Sequence, residues 1–371
     1  MGIIKEESIP EIALLIVPFM SFNPLHHLHD QGGTASGFAN NGIKTVLSVG
    51  RVEGELKNLN FEVIETGNLN RLNLISIFRE TRIFLRTLVN YKPQLVLVWN
   101  VSIFPLIAGI LMKPLSTLFK LRMKTVLRLD WDGIYRNLTF FERILFKVNL
   151  KLSCLAYDHL TTETSCGYSL ISKFLPEPSK LKFIPVGLAR ENHNGEKTIS
   201  REKIVLTVGK IAKYKNISES INVFGAIANK FSDWKYVIIG QWEDKEYFEY
   251  LKHMVNELKL ENSISFLGEV PYSELYSFFN RASIFLTLSN YESFNLARYE
   301  AMEHGLYVIS SKAGCASDFH GIVVVDDTES AINALEHAIS LLDNGSIKIP
   351  IRYEAVRTWT DIAKLYLTLK R

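Results

Sequence analysis

Ala282-Ser-Ile-Phe-Leu-Thr-Leu-Ser289, then Asn290-Tyr-Glu-Ser-Phe-Asn-Leu-Ala-Arg-Tyr-Glu-Ala-Met-Glu-His-Gly305, then Leu306-Tyr-Val-Ile-Ser-Ser311 is the run that decides the fold. The first segment is short, apolar and partly β-branched, as a strand covered on both faces is; the second is rich in helix formers; the third is a strand again. In such a β-loop-α-β unit, ligands collect beyond the carboxyl ends of the strands, where helix N-termini point their N–H groups outward. Ser293 or Asn295 can cap the helix, which turns the amides of Phe294, Asn295 and Leu296 toward an anionic or hydroxyl-rich ligand. Glu292 stands at the mouth as an acceptor for hydroxyls, and Glu300, about a turn and a half into the helix, reaches a second set.

Glu292 and Glu300 with seven residues between them, the Ala301-Met302 that follows, and the Gly305-x-x-Val-Ile-Ser strand resemble the donor-sugar motif of family-four retaining glycosyltransferases with the GT-B fold. The resemblance implies that Glu292 and the amides behind it hold the donor sugar and that Glu300 binds the nucleotide ribose. Two glutamates at this spacing also fit the solvated face of an amphipathic helix; the apolar surroundings favour the site. The fold implied is α/β with GT-B architecture, two Rossmann-like domains facing each other across a cleft.

A chain of 371 residues is too long for one ordinary core, which predicts two domains. A net charge of +3 is too small for a nucleic-acid partner, and no basic cluster is interleaved with aromatics. Three cysteines make neither a disulfide framework nor a zinc site, the N-terminus is acidic where a signal peptide is basic, and no apolar run reaches the roughly 18 residues of a membrane span. The expected location is cytoplasmic.

Outward from the central motif, the N-terminal part is expected to be an acceptor-binding domain over residues 1–188. A buried strand over residues 12–19 leads through a polar loop with His26, His27 and His29 into Gln31-Gly-Gly-Thr-Ala-Ser-Gly37. Gly32 and Gly33 allow backbone to approach a phosphate or an acceptor sugar, and the family has a glycine pair in the same place. The histidines lack a partner at ligand spacing, so no metal is expected. Residues 101–124 and 141–151 mix apolar bodies with Lys113, Lys120, Arg122, Lys124, Lys147 and Lys151. They read either as helices in a bilayer interface or as coverings of the sheet with solvated lysines. A strand over residues 125–129 runs into Asp130-Trp-Asp-Gly133, where most family members place a His. Asp130 is expected to orient the acceptor hydroxyl or act as a weak base, or else to cap the turn before Gly133.

Residues 189–201 are polar and aperiodic and read as a linker. The nucleotide-sugar domain is expected over residues 202–356. Its first strand, 204–208, opens Gly209-Lys-Ile-Ala-Lys-Tyr-Lys215-Asn216, which is not a Walker loop. It resembles the family's Val-Gly-Arg loop, with Lys210 in the Arg position, Lys215 in the diphosphate-binding Lys position, and Asn216 where the family has Gly. The strand over 264–268 and the Gly-Glu-Val270 loop match the segment that meets the nucleotide base, which assigns Val270 to it. Tyr307 and Asp318 depart from the usual Pro and Glu. Residues 357–371 resemble the last family helix, which crosses back to the first domain.

The reaction implied is transfer of a glycosyl group from a nucleoside-diphosphate sugar to a hydroxyl of a glycan or lipid-linked acceptor, with retention and with neither cofactor nor metal. The expected setting is cell-envelope polysaccharide or glycoconjugate synthesis at the inner face of the membrane. The rival from another class is a catalytically silent nucleotide- or sugar-binding protein of a polysaccharide-synthesis complex.

Overall fold

The computed structural model describes residues 10–23, 30–67, 73–130, 139–188, 201–353 and 356–370. The three histidines of the N-terminal loop, Asp132 with Gly133, and residues 189–200 of the expected linker lie outside them. The chain divides into two compact units, residues 1–190 with 357–371 and residues 191–356.

The elements of the first unit are β1 (Ile12–Phe22), α1 (Asp30–Asn40), β2 (Lys44–Val52), β3 (Glu62–Glu65), α2 (Leu74–Tyr91), β4 (Leu95–Trp99), α3 (Ile103–Leu118), β5 (Lys124–Leu129), α4 (Phe140–Ala156), β6 (His159–Thr162), α5 (Ser165–Ile171) and β7 (Leu181–Phe183). The sheet order is β3-β2-β1-β4-β5-β6-β7, and every pairing is parallel. Parallel strands need crossovers that cover both faces, so the central ones carry no polar alternation: all five residues of β4 are buried. The chain reverses its direction of growth at β1 and β4, which marks the carboxyl ends of these strands as the unit's ligand edge.

The second unit contains β8 (Ile204–Val208), α6 (Ile217–Ala228), β9 (Lys235–Ile239), α7 (Lys245–Glu257), β10 (Ile264–Gly268), α8 (Tyr272–Arg281), β11 (Ile284–Thr287), α9 (Leu296–Glu303), β12 (Tyr307–Ser311), β13 (Val323–Val325) and α10 (Thr328–Asp343). Its sheet runs β10-β9-β8-β11-β12-β13, again all parallel. Here the switch point lies between β8 and β11. The last helix, α11 (Trp359–Leu367), packs on α1 of the first unit. Its approach requires Gly37, where a Cβ would stand 2.2 Å from the Trp359 carbonyl oxygen.

One local expectation is corrected. Gly32 and Gly33 do not form an open loop; they are buried in the first turn of α1, which begins at Asp30. The small residues of this helix serve packing, since Gly32 through Phe38 are all buried.

Candidate functional site

The loops beyond β8 and β11 meet at the switch point of the second unit. The turn after β8 is tight because Gly209 and Gly240 touch backbone to backbone: a Cβ on Gly240, at φ +151°, would lie 1.9 Å from the Gly209 carbonyl oxygen. Beyond it a short 3-10 turn, Lys213–Lys215, ends at Asn216 with φ 53° and ψ 42°. That left-handed conformation is open to Gly and to Asn, which explains the exchange between them at this position.

Lys215 Nζ donates to both oxygens of Glu292 at 2.6 and 2.8 Å, and Ser289 Oγ donates to Glu292 Oε1 at 2.8 Å. Backbone ties hold the two loops together, with the Asn290 amide on the Tyr214 carbonyl at 2.9 Å and Asn216 Nδ2 on the Leu288 carbonyl at 3.2 Å. Two of the residues singled out in sequence therefore form one ion pair across the switch point, Glu292 buried and Lys215 partly so. Lys210, the third charge, is exposed and makes no ion pair among the described residues.

The helix after the β11 loop is capped by Asn295, not Ser293. Asn295 has φ 68° and accepts from the Arg298 amide at 3.0 Å, while its Nδ2 donates to Thr287 Oγ1 at 3.1 Å. Because α9 starts at Leu296, the amides its first turn offers are those of Leu296 and Ala297, which corrects the expected set of Phe294, Asn295 and Leu296 by about one residue. The Phe294 ring is buried edge-on against Tyr299 and Phe319.

Sequence reasoning missed Arg298, the residue that braces the site. It is fully buried. Its guanidinium donates to the carbonyls of Phe294 at 2.7 Å, Gly314 at 2.7 Å and Ala313 at 2.8 Å, and to Ser310 Oγ at 3.2 Å. It thus joins the loop before α9 to the loop after β12. Gly314, at φ +61°, lies between them, and a Cβ there would meet the Phe294 oxygen at 2.8 Å and the Glu292 Cβ at 2.9 Å. Burial lowers the Arg298 pKa to about 10, opposed by the charges of Glu292 and Asp318. The signal was present: Arg298, Ala301 and Met302 share one stripe of a helix whose other stripe members are apolar.

Glu300 is buried in the same helix, and burial raises its pKa from 4.5 to about 8. The folded state therefore holds this proton more tightly than the unfolded chain does. Stability from this group is complete below about pH 4.5 and is lost as pH rises toward 8, with a ceiling on the order of 5 kcal/mol. Glu300→Gln is expected to match wild type at pH 4 and to gain on it steadily up to pH 8.5 in urea-denaturation midpoints; parallel pH curves for the two proteins would contradict this. Val270 is half-buried in the loop between β10 and α8.

At the ligand edge of the first unit, Asp130 follows β5 and does not stand alone. Arg128, fully buried, donates through Nε to Asp130 at 3.0 Å and through a terminal nitrogen to Asp30 at 2.6 Å, and also pairs with Glu163. Three carboxylates surround one guanidinium. Burial and the neighbouring Glu163 push the Asp130 carboxyl well above the usual range, and burial pushes Asp30 up to about 6 against the pull of Arg128. Asp30 still keeps 36% of its side-chain surface, so part of that burial is relieved by solvent. The oxygens of Asp30, Asp130 and Glu163 lie within 4.8 Å of one another, the spacing at which carboxylates share a cation, and the cation among them here is Arg128. Asp30 and Glu163 were not anticipated. Gly32 and Gly33 sit two and three residues beyond Asp30 in the same helix.

Residues 189–348 match the family of glycosyl transferases group 1. Over 235 residues the chain is 25% identical to the GDP-mannose:cellobiosyl-diphosphopolyprenol alpha-mannosyltransferase of Xanthomonas campestris, covering 61% of each protein. Over 239 residues it is 24% identical to the 2-deoxystreptamine N-acetyl-D-glucosaminyltransferase of Niallia circulans, covering 63% of this chain and 54% of that one. The matches thus span about three-fifths or less of these relatives' own length. Among solved structures, WaaG, a glycosyltransferase involved in lipopolysaccharide biosynthesis, superposes with a TM-score of 0.62 at 16% identity, covering 97% of this chain and 95% of that one. Sucrose-phosphate synthase from Thermosynechococcus elongatus gives 0.66 at 14% identity, over 96% and 94%. The protein has an α/β fold of the GT-B class, two Rossmann-like domains. Its second unit is similar to the glycosyl transferases group 1.

Proposed function

We propose that this protein is a retaining glycosyltransferase that moves a hexosyl group from a nucleoside-diphosphate sugar to a hydroxyl of a glycan or lipid-linked acceptor in cell-envelope polysaccharide or glycoconjugate synthesis. The observation that carries the reading is the Lys215–Glu292 pair at the switch point, backed by the first turn of α9. A donor diphosphate arriving there competes with Glu292 for Lys215. The lysine then neutralises the leaving phosphates together with Lys210 and the Leu296 and Ala297 amides, and Glu292 is released to accept sugar hydroxyls. One preorganised donor of this kind contributes about 3 kcal/mol to a transition state, so two lysines and two amides supply what a metal ion supplies elsewhere. Glu300 accepts from the ribose hydroxyls and Val270 meets the base. Asp130, held by Arg128, orients the acceptor hydroxyl.

The donor class is supported by the structural neighbour Alr3699/HepE of Anabaena, solved in complex with UDP and glucose, and a lipid-linked acceptor by the polyprenol-linked substrate in the name of the Xanthomonas relative. No helix among the described residues is long and apolar enough to cross a membrane. We place the protein at the cytoplasmic face of the membrane by peripheral contact.

A thermal-shift panel of nucleoside diphosphates and their sugars tests the donor. The matching one, at 100 times its Kd, adds about 2.7 kcal/mol of stability. Stabilisation by none of them counts against the reading; stabilisation without transfer to any acceptor supports a silent binding protein instead.

A further inference from the structure

Helix α4 buries Leu150, Ser153, Cys154 and Ala156 against its own unit. Its opposite side holds Phe140, Phe141, Ile144, Leu145, Val148 and Leu152 in the open, Phe140 at 81% and Phe141 at 66% exposure, and Leu155 extends the row by a turn. At about 100° per residue these seven fall within an arc of roughly 140°. Arg143, Lys147 and Lys151 follow along one margin of it. A water-facing helix side is ordinarily polar, and a contiguous apolar one marks a surface that meets something.

The helix does not act alone. Helices α2, α3 and α4 pack side by side and contribute to one core on the same face of the first sheet. The first turn of α2 adds Leu74, Ile75 and Phe78 at 77%, 77% and 73% exposure, with Arg79, Arg82 and Arg86 exposed on the same side. The three helices carry seven Lys and Arg against two acidic residues, a net of +5 in a chain whose whole net is +3. Positive charge is gathered on the layer that shows the apolar side chains.

We propose that this layer is a membrane-docking surface, with α4 lying in the plane of a bilayer that contains anionic phospholipid, its apolar row among the acyl chains and its basic margin at the headgroup phosphates. Lipid suits the face better than a second copy of the chain. Self-association would set like-charged margins together, and the one acid of α4, Glu142, is bonded to Thr139 as the helix cap. The docking stands on this face alone; that it brings the site to a lipid-linked acceptor rests on the proposed function.

The test is co-sedimentation of the full chain with vesicles of phosphatidylcholine, alone and doped with phosphatidylglycerol. Binding to the doped vesicles is expected to exceed binding to the plain ones by at least roughly tenfold and to weaken with salt. Phe141→Ser with Leu145→Ser is expected to lose binding, and Lys147→Gln with Lys151→Gln to lose the preference for anionic lipid, both keeping the donor-induced thermal shift of wild type. Wild type remaining in the supernatant with both vesicles, or the serine variant binding as well as wild type, overturns the docking. A concentration-dependent dimer abolished by the serine variant, without vesicle binding, assigns the face to a second copy. In each case an intact donor shift leaves the glycosyl-transfer reading standing, whereas vesicle binding without any donor shift defeats that reading and spares the docking.

Discussion

Lys215→Ala is expected to lower kcat/KM for glycosyl transfer by about 10²–10³-fold, the effect of removing one preorganised donor from a developing oxyanion. The single variant also destabilises, because Glu292 loses its counter-ion and is left buried with the Ser289 hydroxyl donating to it at 2.8 Å. Stability and catalysis are separated by the double variant Lys215→Met with Glu292→Gln. With neither charge present, no uncompensated carboxylate remains, so the urea midpoint returns toward wild type while transfer stays lost. Rates of nucleotide release with and without acceptor, read beside the midpoints, decide the matter. A double variant within tenfold of wild-type kcat/KM would remove Lys215 and Glu292 from the chemistry and reduce their ion pair to a structural clamp.

Arg298→Met is expected to cost about 3–5 kcal/mol, the range for breaking a buried charged network from one side. Three carbonyls and the Ser310 hydroxyl lose a donor at once, and methionine fills the space without satisfying any of them. Arg298→Lys is expected to recover little, because a point charge on a flexible stem does not span two loops as a planar fork does. Since the same carbonyls position the segment from Glu292 to Leu296, the protein that remains folded at low temperature should also lose the stabilisation by its matching nucleoside diphosphate. Denaturation midpoints within experimental scatter of wild type would show that the two loops hold their places without the guanidinium.

Much of the second unit was legible in sequence. The strand at residues 204–208 lies where a continuous apolar run ending at Gly209 placed it, because a strand buried on both faces has no reason to alternate. The strand at residues 264–268 is also where it was expected, but at the sheet edge, with Ile264 buried and Ser265 and Leu267 exposed. Glu292, Asn295 and Glu300 were each picked out from residue type and position relative to a strand end, and Lys215 from the resemblance of its loop to the family's diphosphate-binding loop. What sequence periodicity does not carry is partnership: Lys215 and Glu292 are 77 residues apart, and only the adjacency of β8 and β11 brings them into contact.

The first unit was less legible at its ligand edge. Gly32 and Gly33 read as loop because glycine lowers helix propensity, yet both are buried in α1, whose later Gly37 lies against the backbone of α11. Asp130 was visible as a carboxylate at a strand end, whereas its partners, Asp30 and Glu163, stand 98 and 35 residues from Arg128 in the chain.

The sequence by itself determined the repeated β-loop-α units, the glycines at tight turns and the residue types available at strand ends, because these follow from local sterics and from the period of burial. The tertiary structure decided which charges neutralise which: that Lys215 belongs to Glu292, that Arg128 gathers three carboxylates, and that Arg298 turns inward to brace two loops. Electrostatic partners are chosen by distance in space inside a medium that penalises every unpaired charge, and that distance exists only once the sheets have set the order of their strands.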